Sequence, residues 1–202
     1  SGTDGTTNYG LCTFTFDSIN LGAGLNVSLT GTKALVLKTR NHGDVVIGTN
    51  LNVNGGNSSG QTSGKGKLGG YNGGNKNANG AGPGKGKTKV FGNDGGGGGH
   101  ATEGGYSTGG FGLSYGNTGI THLIGGSGGG GGSGNGGGAG GGAISIEADG
   151  NGTITILAGA VISANGGVTS NAGNGGGGGA GGSLRFGARN ILNFGVISAK
   201  GG

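Results

Sequence analysis

The side chains able to do acid–base, metal or nucleophilic chemistry are three histidines, seven acids and one cysteine in 202 residues. His42, His100 and His122 stand far apart, and the only histidine–acid pair in the glycine-rich region is His100 with Glu103, three residues on. Two such donors hold a metal only if the fold brings further ligands to them. Asp44 near His42, and Glu147 with Asp149, read as turn or outer-face residues. Asp149-Gly150-Asn151-Gly152 has the flavour of a calcium loop but lacks the acidic spacing of one. Gly84-Lys85-Gly86-Lys87-Thr88 superficially suggests a phosphate loop, yet no amphipathic helix follows it. Cys12 is the single cysteine, which excludes an intramolecular disulfide and a cysteine metal cluster. It is expected to be a buried apolar thiol, with an intersubunit disulfide as the alternative. No catalytic, cofactor or metal site is expected, and the chain does not read as an enzyme.

The dominant residue type is glycine, at 65 of 202. It gathers in runs such as Gly95–Gly99, Gly128–Gly132 and Gly175–Gly179. Glycine fills no core and forfeits the most backbone entropy on ordering, so this abundance points to a material or surface role. Hydrophobic residues at 29% and charged residues at 9% fit neither a normal globule nor a highly charged disordered tail. A collagen triple helix is excluded by the absence of a strict three-residue glycine period and by the single proline, Pro83.

The net charge of +5 arises locally, from Lys65, Lys67, Lys76, Lys85, Lys87 and Lys89, with no acid between Asp44 and Asp94. This basic arm reads as a solubilising face or as a contact for anionic or glycan surfaces. Nucleic acid is not expected as a partner, because interleaved aromatics and arginines are missing apart from Tyr71. No apolar stretch approaches the length of a membrane span. Three sequons, at Asn26, Asn57 and Asn151, are possible glycosylation acceptors. With the Ser1 start and no methionine, they suit a secreted, extracellular chain.

The apolar residues that remain recur in three similar segments: 34–56, 143–167 and 183–202. Each opens on a strand-like run, passes a turn rich in Asn, Asp or Gly, adds further strands and closes on a glycine pair. Leu35 and Leu37, Ile144 and Ile146, Ile154 and Ile156, and Leu184 and Phe186 alternate at i and i+2, the period of a strand. Earlier runs at 14–21 and 25–30 can supply more strands. Units this poor in apolar residues must stack to share a core. The expected fold is all-β, a parallel β-solenoid-like scaffold with long glycine-rich insertions, and an antiparallel sandwich is its rival. The expected organisation is a single extended domain over 1–202. It has N-terminal β coils at 11–56, a glycine-rich basic insertion at 57–142, and C-terminal β coils at 143–202 with a glycine-rich loop at 168–182. The insertions are candidates for extended helices of the polyproline type, hydrogen-bonded sideways. Val90 and Phe91, Tyr106, Phe111, Leu113, Tyr115, and Ile120 to Ile124 are read as anchors of the insertion. Alternatively, Tyr106, Phe111 and Tyr115 form an aromatic tip.

The strand and turn units ending Ser163-Ala164-Asn165-Gly166-Gly167 and Ser198-Ala199-Lys200-Gly201-Gly202, alternating with glycine runs, resemble glycine-rich β-solenoid repeat regions of secreted bacterial and archaeal surface proteins and adhesins. A weaker likeness is to phage tail-fibre adhesins carrying packed polyglycine helices. The resemblance implies an extracellular β-solenoid and transfers no functional residue. The function expected first is a structural subunit of a cell-surface fibre or filament, self-associating through open β ends. Leu11, Cys12, Phe14, Phe16, Ile19 and Leu21 are the candidate assembly strand. The second is an adhesin or receptor-binding module that contacts glycans through Tyr106, Phe111, Tyr115 and the lysines. The third is an ice-binding protein using Thr153 and Thr155.

Overall fold

Residues 2–3, 8–89, 92, 94–117, 119–170 and 175–202 are described by the structure, a computed structural model. Val90 and Phe91 lie outside the described residues. The described chain is all-β. A short antiparallel pair, β1 (Gly2–Thr3) and β2 (Asn8–Tyr9), precedes the remaining strands. These are β3 (Leu11–Phe16), β4 (Ile19–Leu21), β5 (Ala34–Thr39), β6 (Val45–Ile47), β7 (Leu51–Asn52), β8 (Ala143–Glu147), β9 (Thr153–Ile156), β10 (Val161–Ser163), β11 (Ser183–Gly187), β12 (Asn190–Asn193) and β13 (Val196–Ser198).

They form three parallel sheets, ordered β11-β8-β5-β3, β12-β9-β6-β4 and β13-β10-β7. Each of the three predicted repeats therefore gives one strand to every sheet, and the antiparallel sandwich is excluded. Equivalent residues stack in register: Cys12, Leu35, Ile144 and Leu184 in one column, Ile19, Val45, Ile154 and Ile191 in another. The inward alternation fills a core between the sheets, where Ile47, Leu51, Ile144, Ile146, Ile154, Ile156 and Ile162 are fully buried. Burial of such a side chain is worth about 1.5–3 kcal/mol. These columns form the larger of the two hydrophobic clusters among the described residues.

The corners are closed by short polar side chains that reach the next repeat. Asp44, Asn50, Asn54 and Asn57 accept hydrogen bonds through Oδ1 from the backbone N–H groups of Thr153, Val161, Asn165 and Val168, at 2.7–3.0 Å. Asn165 Oδ1 does the same for Lys200 N–H at 2.9 Å. Turns interrupt the ladder and orphan these donors, so an amide or carboxylate one repeat away is the natural partner.

Two sequence expectations fail. Leu25–Thr30 forms no strand: the Leu25 carbonyl accepts the Thr49 hydroxyl at 2.6 Å, and positive φ at Gly24 and Gly31 turns the chain on either side. Val27 and Leu29 still pack against the core. Cys12 is exposed rather than buried. It shares the inward-facing column of Leu35, but β3 is the last strand of its sheet, so no further strand of that sheet covers it among the described residues.

The glycine-rich segments are ordered against one another without forming sheets. In 126–131 the backbone donors repeat every third residue. Gly126 and Gly129 donate to Gly141 and Gly138, Ser127 and Gly130 to Gly99 and Gly96, and Gly128 and Gly131 to Ala81 and Ala78. In 137–141 the same period holds: Gly137 and Gly140 donate to Gly74 and Tyr71, and Gly138 and Gly141 to Gly177 and Ala180. Three residues per turn is the period of the polyproline II conformation, in which successive N–H groups point in three directions.

Candidate functional site

Two exposed regions hold the candidate residues: the outer edges of the parallel sheets and the surface of the glycine-rich array. The array sets what the second region can present. A Cβ at Gly129 would fall inside contact distance of the Gly177 carbonyl, at Gly137 of the Gly129 carbonyl, and at Gly140 of the Gly126 carbonyl. Only glycine permits this approach, so the interior is almost free of side chains. Ser127, fully buried, is an exception whose Oγ accepts the Gly84 N–H at 2.9 Å.

Side chains stand on the array surface where one residue of a pair faces in and the next faces out. Gly84 and Gly86 are buried while Lys85 and Lys87 are exposed, and Lys65 is exposed beside buried Gly64. Lys67, Lys76 and Lys89 are half-buried. No ion pair involves these six lysines among the described residues.

The structure divides the three aromatics of the predicted tip. Tyr106 is 80% exposed and its ring lies 5.9 Å from that of half-buried Phe111, tilted against it. Tyr115 instead donates its hydroxyl to the Gly125 carbonyl at 2.5 Å and packs its ring 5.1 Å from His100. It fastens one glycine strand to another. Leu123 and Ile124 are buried, and Leu123 packs with Ala34, Val36 and Ala143 on the outer face of the sheet containing β5 and β8. Ser183 Oγ donates to the Ile124 carbonyl at 2.6 Å. The run 120–124 is thus where the array meets the sheets.

Sequence reasoning gave His100 only a remote metal role. It lines a groove of about 410 Å³ with Glu103, Tyr106 and the glycine backbone of 177–182. Burial pushes the His100 imidazole below its ordinary range, opposed in part by a hydrogen bond with the Gly181 backbone. No group of three or more His, Cys, Asp or Glu residues suited to a metal occurs among the described residues.

The sheet edges hold the predicted assembly residues. Leu11, Cys12, Phe14 and Phe16 lie on β3, and Ile19 and Leu21 on β4; these strands pair with β5 and β6 of their own chain. The stretch therefore pairs within its own chain on one side and, among the described residues, has no strand on the other. On that side Phe14 is 48% exposed and Phe16 44%. At the opposite edge Ile191, Leu192, Phe194, Val196 and Ile197 are also exposed, a patch the sequence pattern did not reveal. Alternation fixes the face a residue takes; it does not say whether another strand covers that face.

The polar residues near the edges are tied to their own chain. Asp17 accepts from Arg40 Nε at 2.7 Å, and this hydrogen bond and charge hold the Asp17 carboxyl below its usual range. Of the sequon asparagines, all exposed, Asn57 and Asn151 accept bonds from Val168 N–H and the Arg189 guanidinium. Compared with family models, curated proteins and solved structures, the chain shows no match.

Proposed function

We propose that this chain is an extracellular structural protein, a subunit of a cell-surface fibre that assembles through open β ends. In this reading the three sheets are the faces of a parallel β-solenoid. The glycine segments are polyproline-type helices packed side by side against it. The observation that carries the proposal is the pair of apolar edges at opposite ends of the strand order, β3 and β4 at one and β11, β12 and β13 at the other. Each is a strand edge without a ladder partner among the described residues, flanked by exposed Phe, Ile, Leu or Val, which favours addition of further strands. The side-chain-poor glycine body supports a material role in addition.

Electron microscopy and sedimentation of the purified chain over a range of concentrations test this. Regular fibres above a threshold concentration are expected, and a chain that stays monomeric at high concentration would sink the proposal.

The adhesin reading is favoured by the exposed Tyr106 ring on Phe111, whose flat apolar faces suit a sugar ring. Binding on a glycan array would separate it from a passive fibre. Ice binding has less support, because the column of Thr155 continues into Val46 and Leu192 rather than into more threonines.

A further inference from the structure

The proposed self-assembly leaves open which edge meets which, and the geometry points to a head-to-tail filament. In it, β11 of one copy pairs in parallel, in register, with β3 of the next. This inference rests on the fibre reading and specifies its interface.

The first argument is the register. The column Cys12, Leu35, Ile144, Leu184 and the column Phe14, Leu37, Ile146, Phe186 run through the sheet with apolar residues at every level. Placing the next copy's β3 on β11 continues both: Cys12 falls over Leu184 and Phe14 over Phe186. In the second sheet the row of Ile19, Val45 and Ile154 ends on the exposed Ile191, over which Ile19 of the next copy falls. The exposed Phe14 of one copy and the exposed Ile191 of the other are thereby covered.

The second argument is charge. Thr15, Lys38, Glu147 and Gly187 are aligned, and two residues beyond them stand Asp17, Arg40, Asp149 and Arg189. With Asp17 paired to Arg40 at 2.7 Å and the Arg189 guanidinium bonded to Asn151 Oδ1 at 2.7 Å, this series alternates in sign along the strand order. It begins at an acid on the β3 edge and ends at an arginine on the β11 edge. Head-to-tail stacking sets Arg189 beside Asp17 of the next copy and continues the alternation. Head-to-head pairing runs β3 antiparallel to β3 and leaves Arg189 far from Asp17. Because the two surfaces differ and the operation is a step along the stack, the contact does not close, and it generates a filament.

The lone cysteine makes the register testable. Within one chain Cys12 and residue 184 are three strand spacings apart, roughly 14 Å at about 4.8 Å each. A disulfide needs Cα atoms about 4.4–6.8 Å apart, so Leu184→Cys cannot bond to Cys12 of its own chain. Between stacked copies the separation is one spacing. Oxidation of assembled Leu184→Cys is expected to give a ladder of covalent oligomers on a denaturing, non-reducing gel. Leu192→Cys, on the same edge but in the neighbouring sheet, should give none. A second register pair, Phe14→Cys with Phe186→Cys in a Cys12→Ala background, should give the same ladder if Leu184→Cys folds poorly.

Fibres that give no ladder with either register pair would overturn the head-to-tail contact while leaving the fibre reading intact. Dimers of the unmodified chain joined through Cys12 to Cys12 would do the same, by showing head-to-head contact. A ladder of equal strength from Leu192→Cys would overturn the register. Absence of any assembly would overturn the fibre reading and this inference together.

Discussion

Whether an individual glycine matters depends on what its missing Cβ would meet. Gly129 sits where a methyl group would press on the Gly177 carbonyl, whereas Gly105 has open space around it and no positive φ. A backbone hydrogen bond contributes about 0.5–1.5 kcal/mol net, while fixing one residue costs about 1–2 kcal/mol, so the array has no surplus to absorb a displaced strand. Gly129→Ala is expected to lower stability by at least about 2 kcal/mol, read as a fall in the thermal midpoint. Gly105→Ala should be neutral or stabilising by up to about 1 kcal/mol, through the lower entropy of its unfolded chain. His100 makes a pH prediction at the same scale. Its folded imidazole titrates below the unfolded value of about 6.5, so the unfolded chain takes up the proton first. Stability is therefore full above about pH 6.5 and falls as the pH drops from there towards the folded value. His100→Gln should flatten that part of a stability-against-pH curve.

At the scale of elements, strands and array differ in how far the sequence disclosed them. Leu35 with Leu37, and Ile154 with Ile156, announced their strands because an alternating side-chain pattern records which face is buried. The three repeats followed from the same pattern, and the structure pairs their strands in parallel. Leu25–Thr30 carries a similar alternation yet forms no strand, and Thr49 takes the Leu25 carbonyl that a ladder would need. The array could be suggested but not registered, because a run such as 128–132 has no side chains to mark which residue faces which neighbour. Its partners are fixed mainly by backbone groups, with a few side-chain bonds such as Thr88 Oγ1 to the Gly131 carbonyl, and Ile120, Leu123 and Ile124 locate it against the outer face of the sheet. That dependence gives a test of the join. Leu123→Ala removes a buried side chain from the small cluster with Ala34, Val36 and Ala143, at a cost of about 2–5 kcal/mol. Amides of 125–131 should then exchange with solvent much faster, while those of β9, whose Ile154 and Ile156 belong to the separate core between the sheets, keep their protection. Equal loss in both would mean that array and sheets unfold as one unit.

For the molecule as a whole, the candidate site was half legible. Phe14 and Phe16 were chosen from the apolar run at 11–21, but the matching edge from Ile191 to Ile197 shows only when the strand order is known. The exposed Tyr106 and the fastened Tyr115 looked alike in sequence and separate only through the Gly125 carbonyl that the second one holds. The three-residue donor period in 126–131 has a mechanical meaning as well. A β-sheet is strong along its hydrogen bonds and weak between its faces, where only side chains touch. The glycine segment at 126–131 is tied through its donors to three different neighbours, 138–141, 96–99 and 78–81, and through its acceptors to others including 71–74 and 177–180. A transverse load from any of these sides meets hydrogen bonds. Hydrogen bonds, rather than side-chain contacts alone, thus join this segment of the glycine body to its neighbours on several sides.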